Sequence, residues 1–166
     1  VGVIRGGGGL NRVPHEAEAE GEFRAFDSAS YAWGREQLMS LGGCGDVESA
    51  VDGFPCAVAV EILSEHGPWP RNPDTDGLLA HFTAAAAELG QVVEGERRGG
   101  LSDGNHLWDH VPTLDGLGPS GDNDHCSERS ADGSKLPEYA DLSSFVPKAA
   151  INVLGALRLL RAVLSR

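Results

Sequence analysis

Residues 15–26, HEAEAEGEFRAF, alternate polar side chains with small or apolar ones at every second position. Successive side chains of a β-strand point to opposite faces of the sheet, so this period of two predicts a half-buried antiparallel strand. We expect the small and apolar face to meet a core and the charged face to meet solvent or a ligand. The charged positions are Glu16, Glu18, Glu20, Glu22 and Arg24.

A helix and another strand are predicted after this segment. Asp27 or Ser28 can cap the helix, and the glycine pair at 42–43 ends it. The segment CAVAVEIL, residues 56–63, is a predicted strand. Together with a short apolar strand at the opening VGVI, this order predicts part of a small α+β sheet with helices on one side.

The segment EHGPWPRNPDTD, residues 65–76, is rich in proline, aspartate and asparagine. Such residues are typical of turns and of the linkers between domains. We therefore predict a first domain over residues 1–66 and a second domain over residues 67–166.

Helices and short apolar segments alternate in the second predicted domain. Thr75 or Asp76 can cap a helix that Gly90 ends. A last helix is predicted from Ser143 or Ser144 to the C-terminus. The segments QVVE and PTLDGLG between these helices are predicted strands, and this alternation predicts a mainly parallel α/β sheet. The positions of the last helix that we expect to face the core are Ile151, Leu154, Leu157, Leu160 and Leu164.

Charge and cysteine content limit the partners and the compartment. The chain has 25 acidic and 13 basic residues, a net charge of −12, and no basic stripe interleaved with aromatic residues. Nucleic acid and an anionic membrane surface are therefore disfavoured. Cys44, Cys56 and Cys126 form no C-x-x-C pair, which favours a reducing, cytoplasmic compartment. No signal peptide or spanning segment is predicted within the given sequence, and its start at Val1 in mid-pattern predicts a longer parent protein.

The segment GDNDHCSERSADGSKLPEY, residues 121–139, crowds carboxylates around one histidine. A neutral imidazole binds zinc well and nearby carboxylates can bind the metal or orient the ring, so His125 is a candidate ligand. A solvated loop is the simpler interpretation. Asp122 and Asp124 fit the first two positions of an EF-hand loop, but Cys126 occupies the third ligand position, so calcium is a weaker alternative.

The segment RGGLSDGN, residues 98–105, offers unobstructed backbone N–H groups at its glycines and then the hydroxyl of Ser102. Such a loop suits an anionic group such as a carboxylate, although this motif alone favours a structural turn. In open α/β sheets, ligands bind outside the carboxyl ends of the strands. Since this loop and the acidic loop both follow predicted strands, we expect His125 to lie near Ser102 and Asp103.

Arg24 has two interpretations. It either neutralises Glu22 on an open surface, where an ion pair contributes little, or binds a substrate carboxylate with two parallel hydrogen bonds.

Four segments, in this order, resemble motifs of the zinc-dependent aminoacylase and carboxypeptidase family, which includes acetylornithine deacetylase and succinyl-diaminopimelate desuccinylase. NRVPHEAEAEGEFRAF is similar to the family's Asn-x-x-Pro strand that ends in an acid or amide, one residue and then arginine. GGLSDGN resembles its Gly-Gly-x-Ser/Thr-Asp loop. GLGPSGDNDHCSE resembles its late glycine-rich segment with a metal-binding histidine, and EYADLSSFVPKAA resembles the helix entry after it.

The resemblance implies that residues 1–66 belong to an α+β lid or dimerisation domain and residues 67–166 to the C-terminal half of a mainly parallel α/β catalytic domain. It implies a di-zinc hydrolase of amide bonds, namely an exopeptidase, a dipeptidase or an N-acyl-amino-acid deacylase, with cobalt or manganese as alternative ions. The implied substrate is a peptide or N-acyl amino acid with a free carboxylate, and the implied assembly is a homodimer through the lid domain.

The same resemblance assigns residue roles. His125 would bind one of two zinc ions. The remaining assigned positions would contact the substrate: Asn11 and Arg24 at its oxyanion or carboxylate, and Gly100, Ser102 and Asp103 along its binding site.

The family's other metal ligands and its general base lie upstream of the matched segments. We therefore expect no catalytic residue in this chain, poor zinc binding, and no hydrolysis by these 166 residues alone. Residues 127–138 are an insertion relative to the family. The alternative function is a non-catalytic binding or dimerisation module, in which the glutamate-rich strand pairs edge to edge with a second copy.

Overall fold

The computed structural model describes residues 1–165, and the chain divides into two compact units. Unit 1 comprises Val1–Pro70 and Arg98–Leu101, and unit 2 comprises Arg71–Arg97 and Ser102–Arg166, of which Arg166 lies outside the described residues. The assignment of residues 1–66 to a lid domain and of residues 67–166 to a catalytic domain stays a prediction.

An antiparallel hairpin opens unit 1. Strand β1 (Val3–Gly6) pairs with strand β2 (Ala17–Glu20), and Arg5 lies opposite Glu18. The Arg5 guanidinium forms an ion pair with Glu18 at 3.2 Å and a second one with Glu20. The predicted strand is therefore confirmed over four residues. Its small and apolar face stays exposed, because no further layer packs on the hairpin within residues 1–165.

A helix and a second hairpin complete unit 1. Helix α1 (Ser28–Met39) begins as predicted, because the Asp27 carboxylate accepts a hydrogen bond from the N–H of Ser30 at 2.8 Å. Strand β3 (Gly43–Glu48), which the sequence pattern did not reveal, pairs antiparallel with β4 (Pro55–Val58).

Two helices form the core of unit 2. Helix α2 (Pro73–Glu88) begins earlier than predicted, because Asn72 caps it by accepting a hydrogen bond from the N–H of Thr75 at 2.9 Å. Proline at the first helical position suits this start, since its missing N–H has no partner there anyway. Helix α3 (Phe145–Leu164) packs against α2. The buried hydrophobic residues of the described chain all lie in this pair: Phe82, Ala85, Ala86 and Ile151.

The orientation of α3 differs from the prediction. Ile151 is buried, but Leu157, Leu160 and Leu164 are 43%, 53% and 77% exposed, so these three leucines do not pack in the α2–α3 core as predicted. The helix turns its Gly155 face toward α2 instead, because the aromatic ring of Phe82 fits where Gly155 has no side chain.

The described strands form antiparallel pairs only. The third pair joins β5 (Gly121–Asp122) to β6 (Tyr139–Ala140), and segments 91–94 and 112–118 contain no strand. The architecture is an α+β arrangement of three helices and short antiparallel strand pairs. The parallel sheet that we predicted for the second domain is not seen in residues 1–165. No described helix has the length and apolar character needed to cross a membrane.

Candidate functional site

His125 lies in an exposed loop between β5 and β6, in the left-handed backbone region with φ of 66°. Its N–H donates a hydrogen bond to Glu138 Oε2 at 3.2 Å. The N–H of Glu138 donates in turn to the carbonyl oxygen of Cys126 at 2.7 Å. These two bonds hold the ends of the acidic loop together. In the first of them, the Glu138 carboxylate accepts a hydrogen bond from the backbone N–H of His125.

The same loop supplies donors to its other acids. Asp132 accepts hydrogen bonds from Ser130 Oγ at 2.6 Å and from the N–H and Oγ of Ser134 at 3.0 and 2.8 Å. These bonds, above all the one from Ser130, lower the pKa of Asp132 to about 2. Lys135 Nζ lies 3.7 Å from Glu128 Oε2. Hydroxyl, amide and ammonium groups thus offset part of the repulsion between the carboxylates.

The arrangement of His, Cys, Asp and Glu side chains decides whether the described residues can hold a zinc ion. Within residues 1–165, no group of three or more His, Cys, Asp or Glu side chains is arranged to hold a metal ion. Zinc sites use three or four protein ligands, and the resemblance assigns one of them, His125, to this chain. Zinc binding by this chain stays a prediction.

Ser102 and Asp103 lie at the start of a 3-10 turn, Asp103–His106, in unit 2. Ser102 Oγ accepts a hydrogen bond from the N–H of Gly104 at 3.1 Å, and Asn105 Oδ1 accepts one from the N–H of Ser102 at 3.1 Å. This reciprocal cap fixes the Ser102 side chain. Both residues border an open groove of about 510 Å³, together with Leu107, Thr113, Leu114 and Asp115.

Arg24 lies in a second groove, in unit 1, among the aromatic side chains of Phe23, Phe26 and Trp33. Its Nε donates to Glu22 Oε1 at 2.7 Å and its Nη2 donates to Glu22 Oε2 at 2.9 Å. The two hydrogen bonds lower the pKa of Glu22 and raise the pKa of Arg24. The aromatic lining was not predicted from the sequence, although phenylalanine at positions 23 and 26 flanks the arginine.

The glycine pair of RGGLSDGN lies beside this arginine. A Cβ added at Gly100 would lie 3.8 Å from Arg24 Nη1, and one added at Gly99 would lie 3.6 Å from Phe26 Cζ. The structure thus brings Arg24 and Gly100, two of the predicted substrate-binding residues, together within unit 1. Asn11 is exposed in the connection between β1 and β2 and is not among the described residues that line this groove.

The predicted proximity of His125 to Ser102 and Asp103 rested on a parallel sheet. His125 is not among the described residues that line the groove beside Ser102. Their grouping in one site stays a prediction.

No model of a known protein family matches this chain, and no solved structure matches it. Any functional assignment therefore rests on the four ordered motifs and on the geometry described above.

Proposed function

We propose that this chain is the C-terminal portion of a di-zinc metallohydrolase that cleaves an amide bond, as an exopeptidase, a dipeptidase or an N-acyl-amino-acid deacylase. The observation that carries the proposal is the proximity of Arg24 to Gly99 and Gly100, where an added Cβ would lie 4.0 Å from Arg24 Cδ and 3.8 Å from Arg24 Nη1, because it brings two of the four family-like motifs together. An exposed guanidinium beside backbone that no side chain obstructs suits a substrate carboxylate.

In this proposal the chain contributes mainly to substrate binding. Arg24 and Gly100 hold the free carboxylate of a peptide or N-acyl amino acid, Ser102 and Asp103 line the binding site, and Asn11 contacts the oxyanion. His125 supplies one ligand to zinc, or to cobalt or manganese. The other metal ligands and the general base come from the remainder of the parent, because the described residues do not complete a metal site.

The outer face of α3 supports the proposed catalytic domain. Surface helices usually carry polar side chains on the face turned away from the core, whereas a helix that is apolar all round is buried. The outward side chains of α3 include Val146 and Val153, 78% and 60% exposed, besides the three leucines described above. We infer that a mainly parallel sheet of the parent protein covers this face.

A non-catalytic dimerisation module is the second candidate. The two-stranded β1–β2 hairpin supports it, because neither outer edge pairs with another strand within residues 1–165. An unpaired edge can add a strand from a second copy. The proposed enzyme would use the same surface to form a homodimer through its lid domain, in the cytoplasm.

The test uses the parent protein, in which this chain is joined to its N-terminal half. We expect bound zinc, hydrolysis of N-acyl amino acids or dipeptides, and loss of most activity in the His125→Ala variant. His15→Ala removes an exposed histidine that belongs to no motif and serves as the matched control. Equal activity after His125→Ala would count against the enzyme. An upstream sequence without the His-x-Asp and Glu-Glu motifs of the family would favour the dimerisation module.

A further inference from the structure

Glu22 occupies the edge of Arg24 that presents two donors in parallel. Nε and Nη2 each donate to one oxygen of the Glu22 carboxylate, at 2.7 and 2.9 Å. This is the geometry in which arginine binds a carboxylate most strongly. The Glu22 carboxylate therefore stands where a ligand carboxylate would bind Arg24.

The Glu22–Arg24 pair is accessible. The side chains of Glu22 and Arg24 are 63% and 55% exposed, and the two residues are separated by a single position in the chain. Exposed ion pairs contribute little, because water screens the charges and two long side chains lose freedom. An incoming carboxylate can therefore replace Glu22 at a small cost in affinity, about two- to five-fold.

The surface next to Arg24 is aromatic. The ring of Phe23 is held in place, since it lies over the buried Gly34 and stacks on Tyr31 with ring centroids 6.1 Å apart. Phe26 and Trp33 are 49% and 65% exposed and line the same groove as Arg24. A guanidinium beside exposed aromatic rings suits a ligand that combines a carboxylate with an apolar group.

We propose that Glu22 acts as an internal stand-in for the substrate carboxylate, which displaces it from Arg24, and that the groove selects carboxylates bearing an aromatic or aliphatic group. This inference rests on the proposed function, since it takes Arg24 as the carboxylate-binding residue. Displacement releases Glu22 to solvent, where its charge is hydrated. The Glu22–Arg24 pair therefore lowers the affinity of Arg24 for the substrate carboxylate by a small factor, and it keeps the guanidinium oriented when no ligand is bound.

The experiment is an NMR titration of the 166-residue chain with N-acetyl-L-phenylalanine. Its amide, which lacks the carboxylate, and N-acetylglycine, which lacks the aromatic group, are the comparison ligands. We expect the Arg24 Nε–H resonance to shift with the free acid, and both comparison ligands to bind at least several-fold more weakly. Glu22→Gln removes the competing charge and is expected to tighten binding of the acid about two- to five-fold.

Glu16→Gln is the matched control, because it removes the same charge from an exposed position outside the groove. Equal binding of acid and amide, no binding of the acid, or equal gains for Glu22→Gln and Glu16→Gln would overturn the inference. The proposed function is judged separately. A parent that hydrolyses its substrates in a His125-dependent way with no gain from Glu22→Gln rejects only this inference, whereas acid-selective binding in a parent without hydrolysis rejects only the enzyme.

Discussion

Replacement of Gly155 by alanine tests the contact that defines the core of unit 2. An ideal Cβ at Gly155 would lie 2.7, 2.9 and 3.0 Å from Cδ1, Cγ and Cε1 of Phe82. Ordinary van der Waals contacts begin near 3.4 Å, so the ring or the helix must move. Overpacking of this kind costs about 1–3 kcal/mol, while alanine in place of glycine gains about 0.5–1 kcal/mol in a helix. We expect a net loss of about 1 kcal/mol, within a range of about 0–2.5 kcal/mol.

Gly77→Ala is the matched control. Gly77 lies inside α2, and a Cβ added there would have no atom within 4 Å. The substitution therefore changes helix propensity alone, and we expect it to stabilise the chain by about 0.5–1 kcal/mol. The same chemical change is thus predicted to have opposite signs in the two helices.

Urea unfolding followed by circular dichroism at 222 nm measures both changes. With a slope of about 2 kcal/mol/M, the two variants should differ in midpoint by about 1 M. The losses of Gly155→Ala and Phe82→Leu should add to less than their sum in the double variant, because the smaller side chain makes room for the methyl group, and a coupling energy of about 0.5–3 kcal/mol is typical of contacting residues. Equal midpoints for the two alanine variants would show that Phe82 does not pack on Gly155.

Two further predictions concern the acidic loop. Asp132 should titrate with a pKa of about 2, and its contribution to stability should be present above its unfolded pKa, about 3.9, and disappear as the pH falls through about 2. A carboxyl-detected NMR titration measures the pKa of Asp132, and Ser130→Ala should raise it. Zinc should bind the 166-residue chain weakly, and His125→Ala should leave the zinc affinity measured by calorimetry nearly unchanged, because one imidazole does not form a site. Tight zinc binding that His125→Ala abolishes would contradict the prediction that the acidic loop holds no complete metal site.

The helices could be predicted because their signals are local. Asp27 caps α1 as expected, and Gly90, with φ of +67°, follows the end of α2 in a conformation that glycine adopts without strain. The strands were harder to predict. The segments at 91–94 and 112–118 are short apolar runs without a clear period, and such runs do not distinguish a strand from an irregular segment.

The candidate site depended on contacts that no local pattern encodes. Nothing in the sequence around Arg24 indicates that Gly100 lies beside it. The two interpretations of Arg24, partner of Glu22 or binder of a carboxylate, also remained open from the sequence. The structure shows the ion pair with Glu22, which is exposed and consists of two hydrogen bonds from Arg24. The two interpretations are compatible, because a substrate carboxylate could take the place of the Glu22 carboxylate.

The position of α3 links packing to the proposed chemistry. The helix has two apolar faces, and periodicity alone could not decide which one packs on α2. The face with Gly155 does so, because only a glycine admits the ring of Phe82. The leucine face, on which we had placed the core, is left outward. Under the proposed function, the N-terminal half of the parent would cover this face and would supply the metal ligands that this chain lacks.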